Sequence, residues 1–109
     1  MAASPPPSSS AGSPAPARVQ VIAKEYSLTL SRPVVPSGVV VVEFVNAGQD
    51  PHNLHLAPSA GGPEAGAFSH GEPGAHQRLQ FNMPAGSYTL FCSLPGHEAA
   101  GMKATLTVE

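Results

Sequence analysis

The sequence has a single cysteine, no tryptophan and few charged side chains among its 109 residues. One cysteine excludes an internal disulfide and any zinc or iron–sulfur site made of cysteine ligands alone. Five Lys and Arg against seven Asp and Glu give a formal net charge of −2. The chain therefore lacks the basic face with which nucleic-acid-binding proteins neutralise phosphates. The longest apolar run, Val39–Val42, is far shorter than the ~18 residues of a membrane-spanning helix.

Proline and glycine are abundant, with 13 and 11 residues respectively. So many residues that interrupt regular helices exclude a helix bundle and favour short strands joined by turns. Apolar residues make up 41% of the chain and charged residues only 11%. This balance is not that of a chain kept disordered by its charge, and it suffices for one domain with a modest core.

The first 18 residues differ in composition from the rest of the chain. They contain 5 of the 13 prolines, together with Ser and Ala, and show no apolar periodicity. Such a segment buries too little apolar surface to offset the entropy lost on ordering it. We therefore predict a disordered Pro/Ser/Ala-rich tether over residues 1–18 and one folded domain over residues 19–109. The tether lacks the apolar centre of a signal peptide but is typical of the segment after a signal sequence or lipid anchor. This composition predicts an exported protein, periplasmic or extracytoplasmic, that a membrane tether upstream of residue 1 could anchor.

Short stretches of alternating apolar and polar residues follow position 19, as is typical of β-strands. The alternation changes phase near Glu25, which predicts a bulge or bend. Residues 58–75 are rich in Gly, Pro and Ala, which predicts a loop with a helical turn around 64–68. Seven or so short strands separated by turns predict an all-β fold, an antiparallel β-sandwich. The predicted strands cover residues 19–24, 26–30, 39–46, 52–57, 78–83, 87–92 and 102–108.

The segment from Cys92 to Met102 has a Cys-x4-His-x4-Met pattern, with His97 between the two sulfur-containing residues. Cys92 closes one predicted strand and Met102 opens the next, both in the inward register. A hairpin of this kind brings thiolate, imidazole and thioether to one end of the sandwich. His52 shares the inward register of Leu54 and can add a second imidazole. Two imidazoles, a thiolate and a weak axial thioether are the ligands of an electron-transfer copper site, although zinc can occupy the same ligands.

Four segments of the chain match a known family: Glu43–Asn46, Pro51–Leu54, Pro84–Tyr88 and Cys92–Met102. With them the chain resembles the cupredoxins, the small blue copper proteins, over about residues 19–109. The resemblance implies a Greek-key β-sandwich of seven to eight strands and one copper ion that cycles between Cu(I) and Cu(II). It also implies that Asn53 ties its strand to the Cys92 loop through Ser93. The metal ligands it implies, with histidine Nδ1 atoms facing the metal, are His52, Cys92, His97 and Met102.

Each candidate ligand also has a simpler structural interpretation. A lone cysteine is most often a small buried hydrophobe, and Met102 begins an apolar stripe that a core alone explains. The agreement of the inward registers favours ligation. His55 lies three residues after His52 and therefore on the opposite face of the strand, so we predict that it points away from the site. The remaining histidines, predicted to be solvated, are His70 and His76.

Four functions compete to explain this pattern. A one-electron carrier without substrate turnover fits the ligand set best. The main alternative is a copper carrier, chaperone or storage protein of the extracytoplasmic space, although an inward-facing Cys92 on a short loop favours retention of the metal. A copper oxidase or reductase needs further paired histidines, and no His-x-His pair occurs, so we predict that the chain is not an enzyme. A metal-free adhesion sandwich leaves the alignment of the four candidate ligands unexplained.

The loop around His97 predicts a docking surface for redox proteins. Its residues are small or apolar, and Glu98 is its single charge. Weak redox encounters use small interfaces, and a slight net charge gives little long-range steering. We therefore expect an apolar contact, made by a monomer that does not bind nucleic acid. The predicted docking residues are Leu94, Pro95, Ala99 and Ala100.

Overall fold

The computed structural model describes residues 16–109, in which nine strands and one short helix build a two-layered sandwich. Most of the predicted tether, residues 1–15, lies outside the described residues. Strand β1 begins at Ala17, two residues before the expected start of the domain, because its pairing with β4 extends that far. The elements are β1 (Ala17–Lys24), β2 (Ser27–Leu30), β3 (Val34–Val35), β4 (Gly38–Asn46), β5 (His52–Pro58), β6 (Gly66–Gly71), β7 (His76–Met83), β8 (Gly86–Phe91), α1 (His97–Ala100) and β9 (Lys103–Val108).

The strands form one four-stranded sheet, in the order β2-β1-β4-β7, and one five-stranded sheet, in the order β3-β9-β8-β5-β6. Several neighbours in each sheet are not consecutive in the chain, as a Greek-key sandwich requires. The predicted all-β sandwich is confirmed, with nine strands in place of seven to eight. Two strand pairs, β1 with β4 and β3 with β9, are parallel, and the others are antiparallel.

The change of phase near Glu25 is a complete chain reversal and not the bulge or bend that the alternation predicts. Lys24 pairs with Ser27, so β1 and β2 form an antiparallel hairpin with Glu25 and Tyr26 at its tip. A two-residue turn and a bulge shift the alternation in the same way, which is why the sequence does not separate them. The reversal places the hairpin tip at the same end of the sandwich as His52.

The predicted loop over residues 58–75 contains a strand, and the helical turn expected around 64–68 is wrong. Strand β6 pairs with β5, with Gly66 opposite Leu56 and Phe68 opposite Leu54. The ring of Phe68 is buried and lies 5.3 Å from that of Phe44, measured between centroids. Strand β6 forms by backbone pairing with the edge of β5. A segment rich in Gly, Pro and Ala has no side-chain alternation that would reveal such a strand.

The core lies between the two sheets and ends at the candidate metal centre. Inward-facing side chains of β1 and β4 meet those of β5, β8 and β9, and Cys92 and Met102 continue the same buried layer. Among the described residues, no helix is long and apolar enough to cross a membrane. The largest fully buried side chains include Phe44, Phe68, Leu54, Leu56, Met83, Leu90, Met102, Leu106 and His52.

Candidate metal centre

Three of the four predicted ligands converge at one end of the sandwich. His52 is the first residue of β5, Cys92 directly follows β8, and His97 is the first residue of α1. The two Nδ1 atoms of His52 and His97 lie 3.2 Å apart. The Cys92 Sγ lies 4.0 Å from Nδ1 of His52 and 3.5 Å from Nδ1 of His97. Both histidines therefore turn the same ring nitrogen, Nδ1, toward the cysteine sulfur.

The three ligand atoms have the dimensions of a mononuclear metal site. A point equidistant from them lies about 2 Å from each, which is the length of a metal–imidazole bond. Within residues 16–109, this trio is the one cluster of three His, Cys, Asp or Glu side chains that could hold an ion. A thiolate with two imidazoles is a donor set that suits copper in both oxidation states. The residues of this cluster therefore fit the copper ion that the sequence predicts.

Burial differs among the three ligands. His52 and Cys92 are both 0% exposed, while His97 is partly exposed. A buried cysteine without a disulfide partner and a buried imidazole would hold a bound ion away from water. The His97 ring alone connects the cluster to the surface of the molecule.

Met102 is fully buried. Its carbonyl accepts a hydrogen bond of 3.2 Å from the Cys92 N–H, and its own N–H donates to the carbonyl of His97 at 3.0 Å. These two backbone bonds anchor Met102 to two of the ligands. The backbone of Met102 thus adjoins two members of the cluster, and the role of its side chain as a metal ligand remains a prediction.

The short loop between Cys92 and Met102 is shaped by glycine. Gly96 precedes the four-residue helix α1 with φ of 82°, and Gly101 follows it with φ of 125°. Both values lie in the region that favours glycine over residues with a side chain. The His97 N–H donates to the carbonyl of Leu94 at 3.0 Å. This turn directs the His97 ring back over the cysteine.

Asn53 joins the strand of His52 to the loop of Cys92, as the family resemblance implies. Its Nδ2 donates to the Ser93 Oγ at 2.9 Å, and its Oδ1 accepts from the Ser93 N–H at 2.8 Å. The two bonds link residues 40 positions apart and adjoin one ligand on each side. They hold His52 and Cys92 in a fixed relative position.

His55 lies on the other face of β5, outside the cluster, as the strand register predicts. Its Nε2 is 3.1 Å from the Ser93 Oγ, its Nδ1 is 2.9 Å from a Glu64 carboxylate oxygen, and its ring stacks on Phe91. His55 therefore supports Ser93 from the outer side of the sheet. The two other histidines lie on exposed ends of β6 and β7, where His70 contacts Glu72.

Asn46 anchors the loop that leads into His52. The side chain is 1% exposed. Its Nδ2 donates to the carbonyls of Asp50 and Gly71, at 2.8 and 2.9 Å, and its Oδ1 accepts from the Gly48 N–H at 2.9 Å. One buried amide therefore satisfies three backbone groups and fixes the approach to the first ligand.

Sequence reasoning missed Glu25, at the tip of the β1–β2 hairpin. Its carboxylate accepts from the Gln49 N–H at 2.8 Å, from the Asp50 N–H at 3.0 Å and from the His52 Nε2 at 2.7 Å. The two backbone N–H groups, and then the bond and charge interaction with His52, lower the pKa of Glu25 to about 2. In the sequence, Glu25 is marked only by the change of phase in the apolar–polar alternation. That change does not reveal its contact with His52, 27 positions away.

Tyr26, the second tip residue, lies against the other histidine. Its ring meets the His97 ring edge-on, with centroids 5.2 Å apart. Tyr26 is 46% exposed, so it widens the surface around His97. The hairpin tip therefore contacts both imidazoles of the cluster, one through each of its two residues.

Comparison with known protein families places the chain among copper-binding proteins. The sequence profile of the copper binding proteins of the plastocyanin/azurin family matches residues 31–109. No curated protein sequence matches the chain. Dithionite-reduced auracyanin from the photosynthetic bacterium Roseiflexus castenholzii is similar in structure at 24% identity and a TM-score of 0.72, covering 88% of this chain and 99% of that one.

Two further solved structures share the fold. Auracyanin B is 26% identical with a TM-score of 0.68, over 89% of this chain and 92% of that one. Rusticyanin from Thiobacillus ferrooxidans is 19% identical with a TM-score of 0.68, over 87% and 79%. A multicopper oxidase also matches, with a TM-score of 0.60, but the match covers only 41% of that chain.

Proposed function

Because the chain belongs to the plastocyanin/azurin family of copper-binding proteins, we propose that it carries single electrons between redox proteins and is not an enzyme. Its cofactor is one copper ion, supported by the family and by the His–Cys–His cluster. When bound, copper supplies one-electron exchange between Cu(I) and Cu(II). The proposed ligands are His52, Cys92, His97 and Met102.

The observation that carries the proposal is the triangle of two Nδ1 atoms and one Sγ at one end of the core. Its sides of 3.2, 3.5 and 4.0 Å suit an ion bound by all three atoms. Cys92 and His52 are held by the Asn53–Ser93 bonds, so their positions change little with the charge of the ion. A fixed ligand set lowers the rearrangement that each electron transfer requires.

The electron would pass through the partly exposed ring of His97. A donor protein supplies one electron and an acceptor protein removes it, with no proton or atom transferred. The ring is surrounded by a surface that we call the His97 patch, made of small or aromatic exposed groups. Leu94, one of the predicted docking residues, lies partly buried beneath this surface against the core. The His97 patch consists of Tyr26, Pro95, Ala99 and Ala100.

A copper carrier or storage protein is the alternative function. Complete burial of Cys92 and His52 favours retention of the ion over its release to another protein. We further propose that the protein acts as a monomer outside the cytoplasm, in the periplasm. In such an oxidising compartment a free cysteine is a liability unless a metal holds it, which supports ligation by Cys92.

Titration of the purified protein with Cu(II), followed by visible absorption and EPR, tests the function. We expect an intense blue band that saturates at one equivalent, with a narrow copper hyperfine splitting. A colourless protein, or one with an ordinary Cu(II) spectrum, would reject the electron carrier. In that case Cu(I) uptake would distinguish the storage function from a metal-free sandwich.

Replacement of the thiolate tests the ligand assignment directly. Cys92→Ser should abolish the blue band, because the band comes from charge transfer between sulfur and copper and the shorter hydroxyl is a hard, weak donor. His55→Ala is the matched control, since that imidazole lies on the outer face of the same sheet, and its spectrum should stay unchanged. An unchanged band in Cys92→Ser would exclude Cys92 as a ligand.

A further inference from the structure

We propose that Glu25 is a positioning residue that commits His52 to bind the metal through Nδ1 and holds the reduction potential of the site down. The proposal rests on the electron-carrier function above. It concerns a carboxylate that lies outside the ligand set, on the hairpin of β1 and β2. Three features of the molecule support it: the proton on His52, the anchoring of the carboxylate, and the effect of its charge.

The position of the proton on His52 follows from donor and acceptor chemistry. An ionised carboxylate only accepts hydrogen bonds, so the 2.7 Å contact between Glu25 Oε2 and His52 Nε2 requires the proton on Nε2. The neutral imidazole then has its lone pair on Nδ1. That atom is the one that faces Cys92 and His97. Glu25 therefore selects the tautomer that can bind an ion in the cluster.

The carboxylate of Glu25 is itself firmly held. Its two oxygens accept from the N–H groups of Gln49 and Asp50, which belong to the loop just before His52. Gly48 lies so close to the carboxylate that a Cβ there would displace it. The carboxylate is thus bonded to both the ligand and the loop that carries the ligand, and it cannot turn away without breaking three hydrogen bonds.

The negative charge of Glu25 acts on the metal through the imidazole and through space. A carboxylate that accepts from the far side of a ligating imidazole makes the ring a stronger donor to the metal. A nearby negative charge also stabilises the dication more than the monocation, and His52 is fully buried, where charge interactions are less screened. Both effects favour Cu(II) over Cu(I), which lowers the potential.

The test compares Glu25→Gln with the wild type and with Glu72→Gln, which removes the carboxylate partner of exposed His70 outside the site. Histidine ¹⁵N NMR of the protein as purified, and again after loading with Cu(I), reports the tautomer of His52. We expect an Nε2-protonated ring in the wild type and in Glu72→Gln. In Glu25→Gln the ring should lose this single tautomer, because one amide cannot accept all three hydrogen bonds.

Potentiometry of the copper-loaded proteins gives the second measurement. The ratio of Cu(II) to Cu(I) affinity should fall about tenfold in Glu25→Gln, within the range of effects seen for outer partners of metal ligands. This corresponds to a potential about 59 mV higher for a one-electron couple. Glu72→Gln should match the wild type. An Nδ1-protonated His52 in the wild type, or equal potentials in all three proteins, would overturn the proposal.

Gly48→Ala provides an independent variant that keeps Glu25 but displaces its carboxylate. Like Glu25→Gln, this variant should raise the reduction potential. It tests the proposal even if Glu25→Gln does not fold. Suppose that Gly48→Ala folds and that NMR shows His52 no longer protonated on Nε2. If its reduction potential still equals that of the wild type, the role of the carboxylate is rejected. If the wild type takes up no copper, the electron-carrier function is rejected. The NMR measurement on the protein as purified would still show whether Glu25 fixes the tautomer of His52.

Discussion

Met102 is the residue whose role in the site is the least constrained by its contacts. Its backbone is bonded to both Cys92 and His97, and its side chain is fully buried, which suits either an axial ligand or a core residue. Leucine has a similar volume, so a core residue tolerates the exchange at a cost below ~1.5 kcal/mol. Exchange for leucine therefore distinguishes the two roles by its effect on the bound copper and not by its effect on the stability of the fold.

We expect Met102→Leu to keep copper and to raise the reduction potential, because loss of an axial sulfur donor destabilises Cu(II) relative to Cu(I). Cyclic voltammetry measures the potential, and EPR checks that copper stays bound. Met83→Leu is the matched control, since Met83 is equally buried in the core at the end of β7. Equal potentials in Met102→Leu and the wild type would make Met102 a core residue only.

The elements of the fold differ in how far the sequence reveals them. Alternation predicts the strands of the core, and the Cys-x4-His-x4-Met spacing predicts the ligand loop, because both patterns are local. Strand β6 is set by backbone pairing with β5, and the position of the hairpin tip is set by contacts with distant residues. The pairing of β6 with β5 and the bond from Glu25 to His52 leave no period in the chain. The sequence therefore predicts candidate ligands but not the groups that orient them.

The close approach between the hairpin tip and the loop from Cys92 to Met102 can be tested by substitution. Gly101 has φ of 125°, and a Cβ there would lie 2.9 Å from the Tyr26 carbonyl oxygen. Gly101→Ala should lower the free energy of unfolding through both backbone strain, of about 1–3 kcal/mol, and this contact. It should also shift the copper spectrum, because Met102 and His97 adjoin the displaced segment.

Gly38→Ala is the control for that variant. Gly38 has φ of 114°, and a Cβ at this position would meet no atom within 4 Å, so the variant carries the backbone strain alone. Urea unfolding of both variants isolates the contribution of the contact with Tyr26. Equal losses of stability and an unshifted spectrum in Gly101→Ala would show that the hairpin tip does not support the ligand loop.

At the scale of the whole molecule, the site closes one end of the sandwich. The ligands belong to β5 and to the segment between β8 and β9, so an ion bound by them ties together parts of the core that unfold together. A ligand that binds only the folded state at 100 times its dissociation constant adds about 2.7 kcal/mol to the free energy of unfolding. The metal is therefore expected to stabilise the whole domain.

Thermal unfolding with and without copper measures this effect. The midpoint should rise when copper is added to the wild type, by about 4–8 °C for each 1 kcal/mol in a domain of this size. The Cys92→Ser protein should show a much smaller rise. An equal rise in both proteins would mean that copper stabilises the domain at a place other than the cluster.

The hairpin of β1 and β2 has a consequence for protein engineering. Transplanting the segment from Cys92 to Met102 onto another sandwich that has its own histidine at the place of His52 would transfer a cysteine, a histidine and a methionine in one piece. It would leave behind Glu25 and Tyr26, which contact the two imidazoles from a part of the chain more than 60 positions earlier. A chimera with the behaviour of this site must therefore inherit the hairpin tip as well as the loop.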